Sequence, residues 1–198
     1  MGAPALASAE VIVIGGGVVG VSTLYHLAAF GCHRSLLIER DCLGSGSTRA
    51  AAGGIRAQFS DELNIRVALE CIRRFERFHD EIGVDIDFRQ WGYLFLLEPP
   101  DVPGFRKTVA LQHSLGVPVS LISPQQAQDL VPGLDVTGIA EATFCPIDGY
   151  ATPAAGVAGY AAAARRSGAR IVEGCVGESI VHEGGMVSGV KTSQGFIR

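Results

Sequence analysis

The chain has no CxxC pair, no excess of positive charge, no long charged block and no internal repeat. Each absence removes a class of protein. Its five cysteines, at 32, 42, 71, 145 and 175, are odd in number and scattered. They make neither a disulfide framework nor a zinc site, and read as thiols in a reducing compartment. Sixteen Lys and Arg against twenty Asp and Glu leave a net charge of −4 over 198 residues, so nothing marks a partner of nucleic acid or an anionic membrane. His26, His79, His113 and His182 fall in no metal or acid–base pattern, and no Ser/His/Asp arrangement stands out; no bound metal is expected. No Lys or Arg precedes Arg34, so the uncharged run 11–30 lacks the basic head of a secretory signal. That run is long enough to cross a membrane, but three consecutive glycines near its middle suit a strand–turn–helix instead. Position 6, where N-myristoylation wants Ser or Thr, holds Leu6. The chain reads as soluble and cytoplasmic, with no membrane span.

What is abundant is glycine: 26 of 198 residues, or 13%, against an average near 7%. Hydrophobic residues make up 47%, enough for an ordinary core, so the glycines predict tight turns and close backbone approaches. Val11–Ile14 is a short β-branched run typical of a strand buried on both faces. Gly15–Gly17 turns, Val18 to Phe30 reads as a helix stopped by Gly31, and Leu36–Ile38 is a second buried strand ending at Glu39. This βαβ unit implies parallel strands and a right-handed crossover.

Residues 40–59 are irregular and rich in Gly, Ser and Ala, a length that within a compact domain marks a functional loop. Ser60 is then the expected N-cap of a helix whose apolar stripe is Leu63, Val67, Cys71, Phe75, Phe78 and Ile82. From Ile86 the period changes to two, leading into a strand at Trp91–Leu97. A helix at Phe105–Leu115, a short helix behind Ser123-Pro124 and a strand at Ile139–Cys145 follow. An Ala-rich helix opens at Thr152-Pro153, then come a strand at Arg170–Glu173 and strand-like pieces at Val176–His182 and Met186–Thr192. The expected class is α/β: a Rossmann-like βαβ layer with an inserted, mostly antiparallel substrate-domain layer. Expected boundaries are 1–84, 85–150 and 151–198, the first and last belonging to the nucleotide-binding domain.

The chemistry begins at Gly15-x-Gly17-x-x-Gly20, which follows a buried strand, opens a helix and precedes an acidic strand end, Glu39, by 19 residues. Gly15 permits the tight turn, Gly17 lets a pyrophosphate approach the backbone, and Gly20 lets helix and strand pack closely. The helix N-terminus offers N–H groups to phosphate, and Glu39 would accept hydrogen bonds from the adenosine ribose while repelling a 2′-phosphate. The fingerprint alone fits FAD or NAD.

The stretch GSTRAAAGGIRAQF, with FSDELNIRVALECIRRFERF behind it and WGYLFL and DGYATP further on, resembles the D-amino-acid-oxidase superfamily of FAD-dependent oxidoreductases. Within it, the similarity is to sarcosine oxidase β-subunit, L-proline dehydrogenase and dimethylglycine dehydrogenase-like members. The resemblance implies FAD as cofactor, with Ser47 and Thr48 at the pyrophosphate, Arg40 beside Glu39, and Val176 offering backbone to adenine. It implies that backbone at Gly53 and Gly54 passes the isoalloxazine ring, where a side chain would collide. Arg49 and Arg56 match loop arginines near the ring, and Arg56 is the candidate for a substrate carboxylate, which its guanidinium fork suits. The implied reaction oxidises the C–N bond of a secondary or tertiary amine or amino acid. Members of this family are about twice as long, and Arg198 falls inside an expected hairpin strand. A fragment is therefore expected, one that self-associates or pairs with a second chain completing the fold. The alternatives are a non-catalytic dinucleotide-binding fragment or subunit and, more weakly, an NAD-dependent dehydrogenase.

Overall fold

A computed structural model describes residues 8–198; the first seven, Leu6 among them, lie outside the described residues. The chain order begins β1 (Val11–Ile14), α1 (Val18–Ala29), β2 (Ser35–Ile38), α2 (Ser47–Ala50), β3 (Gly54–Ile55), α3 (Glu62–Glu76) and α4 (Phe78–Ile82). It continues with β4 (Tyr93–Leu97), α5 (Val102–Ser114), β5 (Ser120–Ile122), α6 (Pro124–Leu130), β6 (Glu141–Cys145) and β7 (Gly149–Tyr150). Then come α7 (Pro153–Arg166), β8 (Arg170–Val172), β9 (Gly177–Glu183), β10 (Met186–Thr192) and β11 (Gly195–Ile197). Two compact units result. One holds the chain up to Ala52, Ile82–Val84 and Pro153–Arg198; the other holds Gly53–Glu81 and Asp85–Thr152.

In the first unit, β1, β2 and β8 form a parallel sheet with β2 in the centre. All four β2 residues are buried, as a strand covered on both faces requires. Leu36 and Ile38 pack with Val190 and Ile197 of the antiparallel sheet β11-β10-β9 and with Cys175, which precedes β9. Leu37 points the other way, toward the start of α1. Helix α1 packs on α7, whose Ala- and Gly-rich sequence allows close approach and buries Val157, Tyr160, Ala161, Ala163 and Ala164. The expected stop at Gly31 is present: its φ of 94° lets its N–H reach Ala28 O while Cys32 N–H reaches Leu27 O. Strand β11 pairs with β10, and Arg198 O accepts from Ala9 N–H.

The second unit is built on the antiparallel sheet β4-β6-β5 and the short pair β3-β7. Its core joins Ala57, Ile65, Ala68, Ile72, Val109, Val117, Val119 and Cys145. The segment 1–84 is therefore shared between the units, because α3 supplies part of the antiparallel unit's core. The expected stripe holds at Phe78 and Ile82, buried on the separate helix α4, but the face of α3 differs from it. Ile65, Ala68 and Ile72 are buried, whereas Leu63 is 72% and Val67 53% exposed, and Cys71 is exposed as well. Both sets run at helical spacing, and tertiary packing decides between them. The N-cap is Asp61 rather than Ser60: its carboxylate accepts from Asn64 N–H at 2.9 Å. The strand expected from Ile86 begins only at Tyr93, since Asp87 (φ 54°) and Gly92 (φ 87°) interrupt an extended path. The short helix behind Ser123 carries a complete capping box with Gln126.

Candidate functional site

The dinucleotide turn in the first unit follows the logic of its glycines. Gly15 takes φ 108°, left-handed backbone that favours glycine, and its N–H donates to Ile38 O across the β1–β2 pair. A Cβ on Gly20 would collide with the Gly15 carbonyl, so the helix start and the turn touch only because both are bare. Gly17 is the N-cap of α1, in extended backbone and with no side-chain cap. A Cβ there would meet Thr48 Oγ1 at 3.2 Å. Thr48, on α2, also accepts the Val18 N–H at 3.1 Å, so the 47–50 turn closes over the helix start. Gly16 is not one of the fingerprint's three glycines, yet a Cβ on it would press into Leu43 and Glu39; the unbroken Gly15–Gly17 run is its only signal in the sequence.

Glu39 is buried at the end of β2. One carboxylate oxygen accepts from Gly16 N–H at 2.6 Å, the other from Asp41 N–H at 2.9 Å. Burial alone would raise its pKa, but the Asp41 and Gly16 N–H groups and the Arg40 charge outweigh it, so the carboxyl lies below its ordinary value. Arg40 itself is exposed and pairs with Asp41 at 3.4 Å. Ser47 and Arg49 are exposed on α2. Val176 stands one residue before β9, with its N–H given to Ser193 Oγ and its carbonyl accepting Ser193 N–H, each at 3.0 Å.

In the second unit, Gly53 takes φ 83° and its carbonyl accepts from Ala151 N–H at 2.9 Å. Gly54 and Ile55 pair with Tyr150 and Gly149. Gly54 is exposed, and a Cβ on it would touch only the Tyr93 ring at 3.6 Å. Arg56 is exposed beyond this strand, its guanidinium over Phe59 at 5.3 Å, Phe95 at 5.4 Å and Tyr93 at 5.8 Å from the ring centroids. Such contacts fix a cation while leaving its N–H groups for another anion. Behind Arg56 lies a group that the sequence showed only as a turn. Asp148 is fully buried, and its carboxylate accepts from Ala57 N–H at 2.7 Å and from Gln58 Nε2 at 3.1 Å. Among the described residues no cluster of His, Cys, Asp and Glu could hold a metal, and no helix is long and apolar enough to cross a membrane.

A family model described as FAD dependent oxidoreductase, DAO, matches residues 10–198. The chain belongs to this family. DAO-family proteins use FAD, which replaces the NAD reading of the fingerprint. Human sarcosine dehydrogenase (Homo sapiens, mitochondrial) is 30% identical over 98% of this chain and 22% of its own length. The mitochondrial pyruvate dehydrogenase phosphatase regulatory subunit of Mus musculus is 27% identical over 96% of this chain and 22% of its own. Among solved structures, L-proline dehydrogenase from P. horikoshii superposes with a TM-score of 0.90 at 37% identity, covering 97% of this chain and 51% of that one. The chain thus spans about a fifth of the length of those curated relatives and about half of that crystallised chain. Its mixed architecture of parallel and antiparallel sheets is that of the DAO-family neighbours.

Proposed function

We propose that this chain forms the nucleotide-holding and substrate-facing part of an FAD-dependent oxidoreductase that oxidises the C–N bond of a secondary or tertiary amino acid. Sarcosine-, proline- and dimethylglycine-like compounds are the class. Bound flavin would supply the redox chemistry, taking a hydride from the carbon beside nitrogen. The chain's residues do the rest. The α1 N-terminus, bare at Gly17, meets the pyrophosphate; Thr48 and Ser47 flank it; Glu39 keeps lone pairs for the ribose hydroxyls while anchoring Gly16. Gly53 and Gly54 leave room for a flat ring, and Arg56 takes the substrate carboxylate. Val176 offers adenine a carbonyl lone pair, since Ser193 already holds its N–H. Arg40 and Arg49 act as surface cations near the nucleotide. A second polypeptide or a second copy of the chain is part of the proposal.

The observation that carries the amino-acid reading is Arg56, a guanidinium held by three aromatic rings and forming no ion pair among the described residues. Anaerobic titration of the flavin-loaded protein with sarcosine or L-proline tests it. Bleaching of the flavin absorbance, lost in Arg56→Ala, is expected; bound flavin that no amino acid bleaches would refute it. That second outcome is the signature of a non-catalytic flavin-binding module, a reading favoured by the similarity to a protein named as a regulatory subunit.

A further inference from the structure

Asp148 has an environment that its place in a turn does not explain. It is fully buried, with no Lys or Arg within ion-pair distance among the described residues. Neutral donors converge on its carboxylate: Ala57 N–H at 2.7 Å and Gln58 Nε2 at 3.1 Å. Gln58 is fixed further: the same Nε2 donates to Tyr93 O at 2.9 Å, and at the far end its Oε1 accepts from Thr143 Oγ1 at 2.7 Å. The Asp148 backbone joins in, its carbonyl accepting from Gly92 N–H at 2.9 Å.

The donor inventory makes this arrangement specific. An ionised carboxylate only accepts, and each neighbour named here only donates toward it. A carboxamide of the same shape would turn an NH2 against the Gln58 amide or the Ala57 N–H and leave a buried donor unpaired. Burial pushes the Asp148 carboxyl above its ordinary range, against the pull of the Ala57 N–H, the Gln58 amide, the Cys145 thiol and the Arg56 charge. Burial, then the Asp148 charge, push the Cys145 thiol up to about 12. Holding an anion here costs free energy, and a turn alone gives no reason for it. What the carboxylate holds is the backbone directly after Arg56 and the side chain after that, while Gln58 ties this segment to Tyr93, one of the rings under the guanidinium.

We propose that Asp148 is a positioning residue, clamping Ala57 and Gln58 so that Arg56 is presented to the carboxylate of an amino-acid ligand. The proposal rests on the reading of Arg56 given above. Asp148 touches neither substrate nor cofactor; it acts through the Arg56 segment and its aromatic platform.

The test compares wild type, Asp148→Asn, Arg56→Ala and the double variant, each loaded with FAD, by amide hydrogen exchange at Ala57 and calorimetric binding of sarcosine. Asp148→Asn is expected to speed Ala57 exchange and weaken sarcosine binding by about tenfold each, the scale of one lost hydrogen bond to a charged group. FAD affinity should stay unchanged. In the Arg56→Ala background the same substitution should add nothing to the loss of sarcosine affinity while still releasing Ala57. Unchanged exchange and affinity in Asp148→Asn would overturn the proposal, as would an equal loss of affinity with and without Arg56. Should Arg56→Ala itself bind sarcosine normally, the reading of Arg56 fails, while Ala57 exchange still reports the clamp. If Asp148→Asn does not fold, Gln58→Met serves, because it removes the side-chain arm of the clamp and its tie to Tyr93 while leaving Asp148 in place. A smaller change in the same two readouts is expected from it, and no change would equally overturn the proposal.

Discussion

At the residue scale, the turn around Gly15–Gly20 was legible because each glycine answers a local backbone demand. Gly15 needs φ 108° and Gly20 needs contact with the Gly15 carbonyl, and both follow from spacing alone. Gly17→Val should abolish FAD binding in a protein that still folds, since its side chain would press on Thr48 and fill the phosphate approach; flavin fluorescence titration reads this, and normal affinity would make the turn purely structural. Glu39→Ala should weaken FAD by about 1.5–3 kcal/mol, the scale of a hydrogen bond to a charged group. The Glu39 carboxyl lies below its ordinary value in the folded chain. Its stabilisation is therefore present above the unfolded pKa, near 4.3, and is lost as pH falls through the folded value. Acid unfolding followed by circular dichroism should begin at a higher pH in wild type relative to its own neutral stability than in Glu39→Gln, which has no such proton to take up. Asp148 was illegible for the opposite reason. Asp-Gly is an ordinary turn pair, and its partners Ala57 and Gln58 lie 91 and 90 residues away.

At the scale of elements, strand and helix identities followed from period and punctuation, while the buried face of α3 did not. Leu63, Val67 and Cys71 form one apolar series at helical spacing, and Ile65, Ala68 and Ile72 form a second of similar bulk on another side of the helix. Only the core of Val109, Val117 and Val119 chooses between them. Ile72→Ala should cost about 2–5 kcal/mol through the cavity it opens. Leu63→Ala, on the exposed side, should stay within about 0.5 kcal/mol. Urea unfolding of the two variants checks the assignment, and equal costs would contradict it. Similarly, the strand expected from Ile86 was shortened by Asp87, whose φ of 54° is uncommon for a residue other than glycine and carries no compositional warning.

At the scale of the molecule, the parallel layer leaves β1 at the end of its sheet, in the order β1-β2-β8. Beside that edge runs a groove of about 300 Å³ whose lining includes Ile12, Ile14, Ile180 and Val187. Ile14 is 51%, Ile180 53% and Val187 64% exposed. A strand edge that has no partner among the described residues and is flanked by apolar side chains is a template for further pairing, and no charged side chain of β1 itself blunts it. The chain as it stands should therefore self-associate in solution, with light scattering showing a mass above 20.7 kDa. Placing charge on the groove through Ile180→Lys and Val187→Lys should return it to a monomer, because charged side chains in an apolar groove oppose burying a partner against it. A parent that is already monomeric would show that this edge is protected, and an unchanged oligomer in the double variant would move the contact to another surface.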